Sequence, residues 1–480
     1  MQSFNPYMAN WEYVPDGEPH VFGDRLYVFG SHDRFGGEAY CENDYVGWSA
    51  PVDDLGNWRY EGIIYRKDQD PENADGVLRM NAPDAAQGPD GRYYLYYFYN
   101  GNRSFIGVAV CDTPAGKYEY YGKVHHPDST LYGQGDGDPF MFDPGVLADD
   151  DGQVYLYTGF SPMPFRRTAD VFGEGRRVDG GYAVRLASDM LTVLTEPVMT
   201  APGVDTPHLG GFEGHEFFEA SSMRKANGRY YFVYSTINSH ELCYATSDGP
   251  LGPFTYGGTL VSTGDIYEAG DDFKNGVAPM GNTHGGMVEV NGQWHIFYHR
   301  QTDLTQYSRQ ACAEKIFIRE DGSIAPAEVT SCGLNDGPLA GQGTYGAYIA
   351  CNLRGKRGIQ FYPMGRCDAE DYPYMTQEGS DRENTPNQYI ANLCDGAMAG
   401  FKYFNLNGTS RIKIVLRGKA SRTVAVQTSL DDAPVAVIPV AVDGDWTSFS
   451  AAMAVKDGTA ALYFLFRMDG ACDMKEFTLC

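Results

Sequence analysis

The stretch HEFFEASSMRKANGRYYFVYS, His215 to Ser235, decides how the chain is read. Its second half, GRYYFVYS, is aromatic and β-branched. It follows an Asn-Gly dipeptide, the strongest short-range signal of a two-residue β-hairpin. Its first half carries a carboxylate, Glu219, between Phe217-Phe218 and a run of small residues, where the chain should be entering a core. A buried charge costs free energy unless it is paired, hydrogen-bonded or neutralised.

The pattern recurs. DGEPHVFGDRLYVFGS from Asp16, DAAQGPDGRYYLYYF from Asp84, DPGVLADDDGQVYLYTG from Asp143 and HGGMVEVNGQWHIFYHR from His284 share its plan with EASSMRKANGRYYFVYS from Glu219. Each has a polar residue, a short extended run, a Gly-Asp, Asp-Gly or Asn-Gly turn and an aromatic strand. The units are spaced by roughly 60 to 75 residues, with almost no helical periodicity between them. Five such units predict an all-β chain, a five-bladed β-propeller whose blades are small antiparallel sheets around a central channel.

The first residue of each unit stands seven to nine positions before its turn glycine. The five are Asp16, Asp84, Asp143, Glu219 and His284, all ionisable. Innermost strands run beside a propeller axis, so these positions should converge on one funnel. Any one of them could be a satisfied structural hydrogen-bonder. Together they can push pKa values apart and so create one acid and one base.

Composition narrows the partners. The formal charge is −26 with 63 acidic against 37 basic residues, which argues against nucleic acid and anionic membranes and equally suits plain solubility. Tyr, at 35 residues, supplies hydroxylated rings suited to grooves. The ten cysteines include no Cys-x-x-Cys pair and predict reduced structural thiols, neither a disulfide framework nor a zinc site. The N-terminus lacks a basic and apolar leader pattern, and no window has the length of a membrane span, so a cytoplasmic location is expected. Nothing in the sequence sets the oligomeric state.

The motifs PDGEPHVFGDRLYVFGSHD, FDPGVLADDDGQVYLYTG, FFEASSMRKANGRYYFVYS and GNTHGGMVEVNGQWHIFYHR resemble glycoside hydrolase family 43, in that family's order, over roughly residues 5 to 320. The resemblance implies an inverting hydrolase of oligosaccharides. Asp16 would be the general base, Glu219 the general acid, and Asp143 the group that tunes and orients the acid. An inverting pair stands about 6.5–9.5 Å apart to admit a water, a gap a funnel can span. The resemblance further implies that His284 lies near a bound cation, calcium first, held through water, with no organic cofactor. Arg300, closing FYHR, would grip the substrate. His32 and Asn81 are further substrate-binding candidates. Asn81 stands in MNAPD, where many members carry Trp. The acid motif reads FFEASS, without the common Gly-Pro after Glu. Phe142 precedes Asp143-Pro144, where retaining fructosidases carry Arg. Asp84 is read as structural; Glu213, Glu216 and Asp138 are rival carboxylates.

Residues 1–325 are therefore expected to form the propeller, 326–358 a connector and 359–480 a β-sandwich of jelly-roll type. AEDY and LYFLF…MKEFTL resemble carbohydrate-binding module family 6, with Trp446, Tyr403 and Phe404 as loose glycan contacts, though bracing of the propeller is favoured. The expected activity is that of an exo-acting α-L-arabinofuranosidase or β-xylosidase. A β-D-galactofuranosidase on the same scaffold is one alternative. A non-catalytic carbohydrate-binding propeller is the other.

Overall fold

The computed structural model describes residues 1–101, 103–162, 177–206, 210–266, 275–370, 372–383 and 387–480. Five antiparallel sheets follow one another in chain order as blades of a propeller. The first four have four strands each, opening with Glu18–Phe22, Met80–Gln87, Gly145–Ala148 and Phe217–Ala226. The fifth has three described strands, Met287–Val290, Gln293–Thr302 and Thr305–Ile316. N-terminal residues lie against the last of these. Tyr7 N–H donates to Ala311 O at 3.2 Å, and the Asn5 amide donates to Ala313 O while accepting from Ala313 N–H, each at 3.0 Å. The first residues of the propeller thus cover the edge of its last blade.

The turns behave as their chemistry requires. Phe22 pairs Arg25, Ala226 pairs Arg229 and Val290 pairs Gln293, leaving two-residue loops. Asn227-Gly228 has φ of 51° and 78° and Asn291-Gly292 has 50° and 82°, the left-handed pair that matches strand twist.

The tyrosine-rich strands are buried on both faces, because each blade packs between two others. In Tyr93–Tyr99, alternate residues Leu95, Tyr97 and Tyr99 join a core with Phe29, Tyr45 and Tyr65 of the first blade. Tyr94, Tyr96 and Phe98 join another with Val146, Val154 and Leu156 of the third. Two of the buried hydroxyls find partners: Tyr96 donates to Met190 O at 2.7 Å and Tyr97 to Asp70 Oδ2 at 2.8 Å. A strand buried on both faces reads as a continuous apolar run.

From Leu339–Ala340 to Thr459–Leu479 the strands form one connected nine-stranded network around a single core, consistent with a β-sandwich. Three short strands, Leu339–Ala340, Gly343–Gly346 and Asn352–Arg354, pair into it from the stretch between the propeller and residue 359. Phe404 is core. The Tyr403 hydroxyl bonds Glu328, and Trp446 stands beside Tyr389 beneath the Arg417 guanidinium. Among the described residues no helix is long and apolar enough to cross a membrane.

Candidate active site

The inner strands approach the axis through one shared kink. The backbone is left-handed at Asp16 (φ 57°), Ala82 (26°), Asp143 (42°) and Ala220 (72°). Such conformations cost about 1–3 kcal/mol each in non-glycine residues and persist where surroundings over-determine them. Two residues further along stand Glu18, Asp84, Gly145 and Ser222. Gly286 completes that deeper ring, since a Cβ on it would fall 2.3 Å from Glu18 Oε2 and 2.6 Å from Ser222 Oγ. His284 therefore shares the upper ring with Asp16 and Asp143.

This corrects the sequence alignment at two of five positions. Asp84 lies one ring deeper than Asp16, where its carboxylate meets His20 Nε2 at 2.6 Å and accepts from Val146 N–H at 2.8 Å. Glu219 stands one residue before the kinked Ala220. Irregular pairing between Asn81 and Asp84, and on both sides of Glu219, shifts the register. Such bulges re-aim side chains.

The Asp16 and Glu219 carboxyls sit in opposite environments. Asp16 Oδ1 accepts from Arg309 Nη1 at 2.9 Å, while Arg309 Nε and Nη2 grip Asp33 at 2.8 and 3.0 Å. His299 lies behind them. Its Nδ1 lies 3.2 Å from both the Asp16 N–H and Asp16 Oδ1, and its Nε2 lies 2.8 Å from Asn282 O. Burial alone would raise the Asp16 carboxyl; Arg309, His299 and His284 outweigh it and hold it far below the usual range. Glu219 is half-exposed at the funnel floor yet crowded by protein. Burial first, then the charges of Asp143 and Asp16, push its carboxyl well above the usual range against His284 and Arg309.

Asp143 connects the two. Its Oδ2 accepts from Ala220 N–H at 3.2 Å and lies 3.4 Å from His284 Nδ1. Burial and Asp16 raise the Asp143 carboxyl despite His284. Burial would lower the His284 imidazole, but Asp143, Glu18 and Asp16 raise it well above its ordinary value. Asp143 and His284 thus share a proton-bearing buried contact beside the Glu219 backbone.

Below His284 stands a cation of the chain itself. Arg224 Nη2 donates to Glu18 Oε2 at 2.8 Å and Pro19 O at 3.0 Å, and lies 3.3 Å from His20 Nε2. Ser222 Oγ donates to the same Glu18 oxygen at 2.8 Å. Glu18, His20 and Asp84 have metal-ligating spacing, but their lone pairs are largely taken. Among the described residues, the buried atoms without a hydrogen-bond partner here include Arg224 Nε and the pair Glu18 Oε1 and His284 Nε2, 3.7 Å apart. Calcium takes six to eight oxygens. One free carboxylate oxygen beside a guanidinium offers calcium almost no direct protein ligand, so no calcium role is derived for this centre.

Three expected substrate contacts lie elsewhere or serve differently. Arg300 is not in the funnel: Nη1 donates to Ala350 O at 3.1 Å, and Nη2 to Tyr348 O at 2.7 Å and Gln310 Oε1 at 2.9 Å. Strand side chains alternate between faces, so its neighbour His299 takes the inward face. His32 likewise points away from Asp16 into a buried contact with Glu12 Oε1 at 3.0 Å and Asp44 O at 2.6 Å, and its neighbour Asp33 reaches Arg309. Asn81 stands at the kink position that Glu219 occupies in its own blade; it is half-buried, with its amide on Arg79 O at 3.2 Å. Of the rival carboxylates, Asp138 binds His126 and two backbone N–H groups, and Glu213 is exposed. Arg309, Asp33, His299, Glu18 and Arg224 were not among the expected site residues. Glu18, Asp33, Arg224 and His299 lie inside the quoted motifs without being singled out; Arg309 lies outside them.

A five-bladed propeller whose funnel pushes one carboxyl up and another down has the opposed pair that glycoside hydrolysis uses. The sequence model of glycosyl hydrolases family 43 matches residues 22–324, and the chain belongs to that family. A xylosidase/arabinosidase of Thermoclostridium stercorarium is 50% identical over 483 residues, covering 100% of this chain and 99% of its own length. A solved GH43_1 enzyme from Xanthomonas citri, complexed with xylotriose, is 28% identical with a TM-score of 0.51, covering 68% of this chain and 93% of its own. An arabinoxylan arabinofuranohydrolase from Bacillus subtilis, solved with cellotetraose, shares the fold over 98% of this chain and 96% of its own, at 21% identity and a TM-score of 0.50.

Proposed function

We propose that the chain is an exo-acting, inverting hydrolase of oligosaccharides that end in xylose or arabinofuranose. Asp16 acts as base, Glu219 as acid, and Asp143 tunes and orients the acid. The observation that carries this reading is the opposed environments of Asp16 and Glu219 in one funnel. The full-length likeness to a xylosidase/arabinosidase supports the sugar class.

The proton balance is simple. Asp16 takes a proton from the attacking water as its oxygen bonds to the anomeric carbon. Glu219 gives its proton to the leaving glycosidic oxygen as that bond breaks. Asp16 ends protonated and Glu219 ionised, and solvent exchanges the proton back. Arg309 keeps the base ionised, while Asp143 raises the cost of ionising Glu219 before transfer. His284 and Arg224 supply the positive charge at the centre, so these steps need no added cation. Asn81 is assigned to the sugar-facing wall.

Aryl β-D-xylopyranosides and α-L-arabinofuranosides test the reading. Wild type is expected to cleave at least one class and Asp16→Asn to lose turnover by about 10²–10⁴-fold, the usual scale for a general base. Proton NMR should show the first-formed sugar with inverted configuration. Full turnover in Asp16→Asn, or a retained anomer, overturns it.

A further inference from the structure

The C-terminal sheet touches the propeller where the base is held. After the strand Tyr374–Glu378 and before the strand Asn387–Leu393 stand Asp381 and Arg382. Asp381 Oδ1 accepts from Phe35 N–H at 2.8 Å and Oδ2 from the Asn43 amide at 3.1 Å. That same Asn43 amide donates to Asp33 O at 2.8 Å. Arg382 Nη1 donates to Glu12 Oε1 at 2.7 Å and meets His32 Nε2 at 2.7 Å, with its guanidinium against the Trp11 and Tyr60 rings. Arg382 holds φ of 59°, a left-handed conformation. These contacts over-determine it.

Both residues therefore clamp the segment from His32 to Asn43, whose Asp33 fixes Arg309 by a fork of two bonds. A second contact holds the hairpin that carries Arg309. Asp303, in its turn, binds Arg366 at 2.6 and 3.2 Å and Thr376 Oγ1 at 2.8 Å, all partners from the C-terminal side. Asp33 and Arg309 are both buried, so their geometry depends on how these two segments are pinned.

We propose that Asp381 and Arg382 are positioning residues of the reaction: they lock the Asp33–Arg309 pair against Asp16, making the C-terminal sheet part of the catalytic apparatus. This rests on Asp16 being the base. The charged groups facing Asp16 are Arg309 and His284, with the titratable His299 beside them and Asp33, Asp143 and Glu219 beyond. Only the Arg309 contact passes through the clamp. Loosening it should leave the other groups in place and weaken the hold on the ionised base.

The test measures kcat/KM against pH for full-length Asp381→Ala, Asp381→Asn, Arg382→Ala and Asp16→Asn, with thermal unfolding alongside. Asp381→Asn keeps the shape and loses one of two bonds, so it remains informative if the alanine variant misfolds. Asp381→Ala is expected to lower kcat about tenfold with KM within about twofold, on the scale of small misplacements. Its acid limb should move up by about one pH unit. Asp381→Asn should show a smaller move in the same direction. A wild-type acid limb in every folded clamp variant overturns the proposal, even if the melting temperature falls. Full turnover in Asp16→Asn would instead sink the assignment of the base, whatever the clamp variants do.

Discussion

The Asp16 and Glu219 corners of the funnel are built from the same kink of the same repeated strand and end in opposite chemical states. At Asp16 a guanidinium, itself buried, lies 2.9 Å from the carboxylate. At Glu219 the nearest charges include the carboxylates of Asp143 and Asp16. Burial pushes both carboxyls upward, so it does not separate them; the sign of the neighbouring charge does. A symmetric scaffold can thus yield an acid and a base by placing one arginine.

The largest break in this comparison is removal of the acid. Glu219→Gln should slow hydrolysis of alkyl or sugar leaving groups by about 10²–10⁴-fold. Aryl glycosides with acidic phenols, which leave unprotonated, should be slowed far less. Equal losses on both would deny Glu219 its role. The second effect concerns the channel below. Arg224→Met leaves the buried Glu18 carboxylate without its cation and should cost about 3–5 kcal/mol of stability, read by denaturant unfolding. An unchanged midpoint would show that Arg224 is not what holds Glu18.

A smaller change sharpens the contrast from the other side. Arg309→Lys keeps a charge but loses the planar fork. The Asp16 carboxyl should then rise from its depressed value, and the acid limb of kcat/KM should move upward. The same sign governs stability: the folded Asp16 carboxyl is depressed, so its contribution is present above the unfolded value of about 3.9 and lost as pH falls below it. In Arg309→Lys that contribution shrinks. The smallest expected effect is none: dialysis against a calcium chelator should leave kcat, KM and the melting temperature unchanged, because Arg224 holds the centre. Loss of activity restored by calcium would contradict that.

Much of the fold was legible because hairpin chemistry is local. Asn227-Gly228 and Asn291-Gly292 announce their turns in two residues, and the buried tyrosine runs follow from blades packed on both faces. Asp16, Asp143, Glu219 and His284 were legible because each stands just before such a hairpin. What failed was finer than the repeat. Arg300 and His32 are each one residue from the side chain that reaches the site, and alternation turns one step into the opposite face. Asp84 and Glu219 were placed in the wrong ring because bulges change register without a clear mark in the sequence. Arg309, 293 positions from Asp16, and Asp381, 346 positions from Phe35, belong to the site only through tertiary contact.

The division of labour between the two carboxyls is tested most directly by the pH dependence of kcat/KM on an activated aryl xyloside or arabinofuranoside, in wild type and in Glu219→Gln. Wild type should give a bell whose acid limb reports Asp16 and whose alkaline limb reports Glu219. In Glu219→Gln the alkaline limb should vanish while the acid limb stays where it was. An alkaline limb that survives the substitution, or an acid limb that disappears with it, would contradict the assignment of acid and base.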